Sequence, residues 1–294
     1  MNVTTKKDVI SLLLCYVFWG FQPLYWPLMG SLNSYVILAC RIVMAAVFSV
    51  LLLGLTHRLD QLKALFLNRS IMKFLVPAVV FLFLDWAVFI VAVNAGHVLD
   101  VSLGYYVNPL LLFAAGVLIY REPCSWVQVL SLGVAVVGVV ISTVAFGSFP
   151  LLSVVIAVNW AVYATLKKNV KVDGVVSIAA ETLMLSPFAL VFLAGFQREA
   201  FVGLDPKLIP LIIGSGVVTA LPMFLYSNCV ARFSMIVMCF AQYLSPTFNL
   251  VCGLIMGETF TQSQILSLVF FIAAIVLFTG SEIRRTMQAA KNTP

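Results

Sequence analysis

Three ionisable residues lie deep inside long apolar runs of this 294-residue chain: Arg41, Asp85 and Glu181. A charge at the centre of a membrane helix costs about 2.5–3.5 kcal/mol on insertion scales, so it usually faces a cavity or a partner. At about 1.5 Å of rise per residue, Arg41 falls roughly 10 Å below one end of its run and Asp85 at a comparable depth, which allows the two to pair. Three kinds of chemistry fit them: a structural ion pair, an anchor for the carboxylate or amine of a solute, or a proton-coupling carboxylate at Asp85. Glu181 sits nearer the opposite end. It suits a structural hydrogen bond or the same proton-coupling role.

Two further runs are interrupted by rare residues, SLGYYVNPL (102–110) and FAQYLSPT (240–247). Pro109 and Pro246 each lack an N–H and clash with the carbonyl one turn back, that of Tyr105 or Gln242. A pair of helix breaks is therefore expected. Irregular backbone at membrane depth is tolerated only where protein or water covers it. Tyr105, Tyr106, Asn108, Gln242, Tyr243 and Ser245 are placed to line such a region. The alternative is a proline kink that shapes helix packing, its polar groups bonding between helices. Trp19, Trp86, Trp160 and Tyr163 also lie deep. Aromatic rings beside amides suit a largely apolar pocket for an aromatic solute or organic cation, although plain packing accounts for part of them. Trp26 and Trp126, near run ends, read as interface anchors.

The elements that must position these residues follow from composition. Hydrophobic residues make up 63% of the chain and charged ones 10%, against about 45–50% and about 25% in soluble domains. So few charges cannot cover a water-facing surface, so the solvent for most of the chain is lipid. A span takes about 20 apolar residues. Ten are expected, near 9–27, 34–54, 72–94, 102–119, 126–144, 150–166, 175–195, 208–228, 233–256 and 263–281. The class is an all-α membrane protein with ten transmembrane helices.

The net charge of +6 does not indicate nucleic acid, because position explains it. With a cytoplasmic N-terminus, 14 Lys/Arg residues fall on the inner side, Arg198 and Lys207 on the outer side, and Arg41 within a span. That is the positive-inside rule, and it places both termini in the cytoplasm. The cluster Lys167, Lys168 and Lys171 reads as part of this topology signal. The six cysteines lie mostly in spans without metal or redox spacing and read as small apolar filler. His97, beside Asp100, reads as wet loop.

The two interrupted runs align at an offset of 137 residues, Tyr106 with Tyr243, Pro109 with Pro246 and Gly116 with Gly253. One residue of slippage later, Glu122 meets Glu258 and QVLSL (128–132) meets QILSL (264–268). Two five-span repeats, 1–146 and 147–294, are expected. An odd number of spans inverts the second, a plan that lets two halves rock around a central site.

At CYVFWGFQPLYW (15–26) the sequence resembles RarD-like proteins of the EamA-type branch of the drug/metabolite transporter superfamily. Arg41, DWAVFIVAVNAGHVLDVSLGYYVNPL (85–110), NWAVYATLKK (159–168), AAETLMLSP (179–187) and AQYLSPT (241–247) extend the resemblance from about residue 8 to 280. It implies ten helices as two EamA repeats in the cytoplasmic membrane and small-molecule permease activity, usually presumed to be export. Two positions depart from the family pattern. Asp85 stands where asparagine is expected, and Tyr-Ala-x-Leu-Lys-Lys replaces Tyr-Gly-x-Leu-Arg-Lys.

The expected function is secondary transport of a small organic solute such as a drug, amino acid or metabolite. No nucleotide motif is present, so a gradient or exchange would drive it. Trp19, Arg41, Asp85, Trp86, Tyr105, Tyr106, Asn108, Trp160, Tyr163, Gln242 and Tyr243 are the expected substrate-binding residues. A membrane receptor that binds without translocating is the alternative. An integral-membrane enzyme fits less well, with no HExxH or GxSxG and only two histidines. Neither cofactor nor metal is expected. The partners are the solute and the bilayer; a monomer suffices, and the oligomeric state is open.

Overall fold

The computed structural model describes residues 5–94, 98–146, 151–256 and 261–291, so His97 and Glu258 lie outside the described residues. Among these, all regular structure is helical. Helix α1 (Lys6–Phe21) opens on a capping box in which Thr5 and Asp8 satisfy each other's backbone N–H groups. Two 3-10 turns, Gln22–Leu24 and Trp26–Met29, follow because Pro23 and Pro27 each sit at a helix start. Asn33 caps α2 (Ser34–Leu55) by accepting the Tyr35 N–H at 2.8 Å.

The nine-residue α3 (Leu59–Leu67) falls between expected spans. Its Leu62 and Leu65 bury against Leu53, Leu75, Val176 and Ala180, so it packs across the end of the bundle. Helices α4 (Arg69–Asn94), α5 (Val98–Leu118), α6 (Trp126–Phe146) and α7 (Leu151–Lys167) come next. Asp173 caps α8 (Gly174–Phe196), and α9 spans Leu208–Arg232. Ser234 caps α10 (Met235–Gln242), and α11 (Leu244–Ile255) and α12 (Gln262–Lys291) complete the described chain.

Six of these are long and apolar enough to cross a membrane: α2, Arg69–Val88 of α4, Trp126–Ala145 of α6, α8, α9 and Gln262–Arg284 of α12. Shorter apolar stretches are Gly104–Leu118, Leu151–Lys167 and Met235–Phe248. Their outward faces carry large apolar side chains, Leu51, Phe188, Val191 and Val276 each more than half exposed. A surface of that kind is stable only against lipid. The chain is a multi-pass membrane protein.

The expected pair of breaks appears once. At Tyr243 the chain leaves α10 and restarts as α11, with Pro246 the third residue of the new helix, where its missing N–H has no intrahelical partner to lose. At Pro109, by contrast, α5 runs unbroken from Val98 to Leu118. Close neighbours hold α5 together: α7 packs along one side and α10 along another. A Cβ on Gly104 would come within 3.0 Å of the Ser153 carbonyl oxygen, so glycine is what allows α5 to lie backbone to backbone on α7.

Helix α6 packs on α12, α2 on α8 and α9, α4 on α7, and α1 on α9 and α11. One end of the bundle, here the lower end, gathers the start of α1, the ends of α2, α5, α7 and α9, and the starts of α8 and α10. Its charged contacts show this. Asp8 pairs with Arg232, and Arg58 with Asp173 at 3.0 Å. Glu122, just beyond α5, accepts the backbone N–H groups of Met235 and Ile236 at 2.8 and 3.1 Å. The Lys168 amine lies 3.5 Å from Glu122 and donates to the Phe233 carbonyl at 2.5 Å.

Candidate functional site

A cavity of about 200 Å³ lies among α1, α2, α4, α5, α7, α9 and the α10–α11 break. The C-terminal part of α1 and the turn after it supply Tyr16, Trp19, Gln22, Pro23 and Trp26. Arg41 enters from α2, Asp85 and Trp86 from α4, and Tyr105 and Asn108 from α5. The opposite wall is Trp160 of α7 and Thr219 and Met223 of α9, with Gln242, Ser245 and Pro246 at the break.

The Arg41 guanidinium carbon lies 5.0 Å from the ring centroid of Trp26 and 4.6 Å from that of Trp86. Cation–π attraction of about 0.5–2 kcal/mol per ring holds the charge in place. Trp26, read as an interface anchor, is half-buried and also packs against Arg41. Of the three readings open for Arg41 and Asp85, a direct ion pair is not formed among the described residues: Arg41 Nε and Asp85 Oδ1 are each buried without a hydrogen-bond partner, although the two charges lie near enough to interact electrostatically. Both residues line the cavity.

Eight buried side-chain polar atoms lack a partner among the described residues, and six belong to residues lining this cavity: Arg41 Nε, Asp85 Oδ1, Asn108 Oδ1, Trp160 Nε1, Thr219 Oγ1 and Gln242 Oε1. Each unmet group costs about 1–3 kcal/mol. Such groups are rare and scattered in structural cores. Their clustering among the lining residues sets this cavity apart from the rest of the core.

Below the cavity the aromatic rings close ranks. Trp19 meets Trp160 edge-on at 5.3 Å and Tyr226 at 5.2 Å, and Tyr163 stacks on Tyr226 at 6.2 Å. Tyr16, Tyr163 and Tyr226 are fully buried. Following α7 downward from Trp160, the Tyr163 hydroxyl donates to Glu181 Oε2 at 2.9 Å, and Lys167 pairs with Glu181 Oε1. Lys167 also donates to Ser177 Oγ at 2.5 Å. Lys167 is fully buried, so it is not a solvated member of a lysine cluster. Glu181 carries three polar partners, Tyr163, Lys167 and Ser177, and does not reach the cavity.

Of the eleven residues expected to bind solute, the structure brings eight to the cavity: Trp19, Arg41, Asp85, Trp86, Tyr105, Asn108, Trp160 and Gln242. The other three point elsewhere. Tyr106 stacks on Phe271 of α12 at 4.4 Å, on the side of α5 away from the cavity. Tyr243 stacks on the same ring at 5.1 Å and is fully buried. Tyr163 is held in the aromatic plug, the ring cluster below the cavity, by Glu181 and Tyr226. Of the two prolines, Pro246 lines the cavity and Pro109 does not. Ser245, read as break lining, also faces it.

Tyr16, Gln22, Pro23, Trp26, Thr219 and Met223 were not singled out as lining. Tyr16, Pro23 and Trp26 carried a signal, falling with Trp19 at 16, 19, 23 and 26, a spacing that would share one face of a continuous helix; Gln22 falls outside that spacing. Thr219 and Met223 carry none, being ordinary residues in an apolar run.

The sequence profile of the EamA-like transporter family matches residues 6–144. The uncharacterized transporter YojE of Bacillus subtilis is 32% identical over 290 residues, covering 96% of this chain and 97% of that protein. Protein RarD of Escherichia coli is 27% identical over 291 residues, covering 98% of each chain. A solved crystal structure at 13% identity superposes with a TM-score of 0.72 over 96% of this chain and 99% of its own, which extends the likeness to the fold.

Proposed function

The chain belongs to the EamA-like transporter family, as a RarD-like membrane transporter and not an enzyme, and from that premise we propose that it moves a small organic solute by alternating access. The convergence of unmet polar atoms from 1–146 and 147–294 in one cavity carries this reading. Arg41 and Asp85 supply charge, Asn108 and Gln242 amide contacts, and Trp19, Trp86, Tyr105 and Trp160 the apolar enclosure.

In this reading the segments 1–146 and 147–294 are inverted five-helix repeats. Helix packing supports it. With α3 set aside and α10–α11 counted as one span, exchanging corresponding spans turns the α5–α7 contact into α11–α1 and α4–α7 into α9–α1. The α6–α12, α2–α8 and α5–α10 contacts map onto themselves. By the lysine and arginine distribution the lower end faces the cytoplasm, across the inner membrane, and outward movement is the direction the resemblance implies. Every described ion pair that joins the two halves sits at that end: Asp8–Arg232, Arg58–Asp173 and Glu122–Lys168. Together with the aromatic plug, they fit a conformation shut toward the cytoplasm.

The test is counterflow in sealed proteoliposomes, using labelled amino acids, organic cations and neutral aromatic drugs. Accumulation of one class, lost in Gln242→Ala and Arg41→Gln, is expected. Saturable binding without counterflow of the bound compound would leave a membrane receptor in its place.

A further inference from the structure

Below α2 the chain turns sharply, and the turn builds a shelf at the edge of the membrane. His57 takes a left-handed backbone, with φ of 53°. Its N–H returns to the Gly54 carbonyl at 3.1 Å, and that of Arg58 to the Leu53 carbonyl at 2.8 Å. This Schellman closure ends α2 and sends α3 across the lower end of the bundle. Arg58 fastens the shelf, its guanidinium 3.0 Å from Asp173 and 3.0 Å from Gln61 Oε1.

Helix α3 has three sides. Leu62 and Leu65 bury against the bundle. Positions 59, 63, 66 and 67 fall at i, i+4, i+7 and i+8 and share a second side, where exposed Leu59, Phe66 and Leu67 surround Lys63. Asp60 and Gln61 lie on the third. Leu67 is 83% exposed. An apolar side with a cation in its middle suits the boundary where acyl chains meet headgroups.

One face of α4 continues that boundary into the membrane. Arg69, Lys73, Val76, Val80 and Phe83 recur every three or four residues, so they share a face, and all are exposed. The three apolar ones lie in Arg69–Val88, the part of α4 long and apolar enough to cross a membrane. Lys73 to Phe83 spans about 15 Å, half of the roughly 30 Å of hydrocarbon, which is one leaflet. The cations are left without protein counter-charges. Neither Arg69 nor Lys73 forms an ion pair among the described residues. Lys63 meets only Asp60, at 3.8 Å with side chains 77% and 94% exposed, a surface contact of little worth.

We infer that this face binds an anionic phospholipid, its phosphate among Lys63, Arg69 and Lys73 and one acyl chain along Val76, Val80 and Phe83. A soluble anion would meet the cations and leave the stripe uncovered. A zwitterionic lipid would leave the cations uncompensated.

The experiment is native mass spectrometry of the purified full chain in detergent, with phosphatidylglycerol or phosphatidylcholine of the same acyl chains added stepwise. The first phosphatidylglycerol should bind more tightly than the first phosphatidylcholine. Neutralising one cation (Lys63→Gln, Arg69→Gln or Lys73→Gln) should weaken phosphatidylglycerol roughly fivefold, and neutralising all three on the order of 100-fold. The control is Lys6→Gln with Lys7→Gln and Lys171→Gln, three equally exposed cations at the same end, which should leave it near the wild-type value. Because both lipids are read on each protein, a loss of fold would lower both and cannot mimic a selective loss. Equal affinity for the two lipids in the wild type would overturn the inference. So would an equal loss in the control, which would mean diffuse surface charge. Displacement of the lipid by glycerol 3-phosphate, which has no acyl chains, would overturn it in favour of a soluble anion.

Discussion

Glu122 joins the two halves through two backbone N–H groups at the start of α10, and its replacement by glutamine gives a quantitative test. Glutamine keeps one carbonyl oxygen, so one of the bonds to Met235 and Ile236 is lost together with the negative charge at the helix start. A hydrogen bond to a charged group contributes about 1.5–3 kcal/mol, and a charge at a helix N-terminus about 0.3–1 kcal/mol. Because these overlap, the expected loss is about 2–3 kcal/mol. If the bond exists only while the lower end is shut, the equilibrium moves roughly 30- to 150-fold toward the opened form. Cys239 on α10 reports it, being fully buried in the shut form. Its maleimide labelling rate, mapped by mass spectrometry, should rise by that factor in Glu122→Gln, while labelling of Cys40, at the opposite end, stays unchanged. A folded Glu122→Gln protein whose Cys239 labels at the wild-type rate would refute the reasoning.

Three further outcomes are expected. Lys167→Met should lower stability by about 3–5 kcal/mol, because Glu181 is left buried and unpaired; Lys167→Met with Glu181→Gln should recover most of it, as read by thermal unfolding in detergent. Trp86→Ala removes one of the two rings against Arg41, so solute affinity should fall about 2- to 30-fold, the range of one cation–π contact, while unfolding temperature measured without solute changes less than for Lys167→Met. Gly104→Leu drives a side chain into the Ser153 backbone and should cost at least about 1–3 kcal/mol; Gly54→Leu, where a Cβ would meet nothing within 4 Å, serves as the control.

The apolar runs were legible because lipid makes hydrophobicity a direct readout of element position. The run read as 34–54 is α2, Ser34–Leu55, within one residue at each end. The cavity lining was legible where the residue type was expensive at its depth. Arg41, Asp85, Asn108 and Gln242 all proved to share one cavity. Rotation about the helix axis was not legible for neighbouring aromatics. Tyr105 and Tyr106 are equally deep, yet one turns to the cavity and the other to Phe271, a partner 165 positions away. The proline rule was incomplete for a similar reason. Pro109 and Pro246 make the same local demand, and the neighbours of each decide whether the helix breaks. Lys167 shows the limit of the positive-inside signal, which places a residue at an end of the bundle without saying whether it is wet.

The break at Tyr243 sets α10 off as a separate rod of eight residues packed along α5, about 12 Å long. One tip, Met235, is gripped by Glu122; the other, Gln242, touches whatever fills the cavity. In the proposed alternating-access cycle it is placed to work as a lever, with loading at one tip and release at the other and no relay between them. A particle too small to reach Gln242 exerts no torque on the Glu122 grip. In that cycle ions and water would leave the lower end bolted, and the length of one short helix would suppress leak.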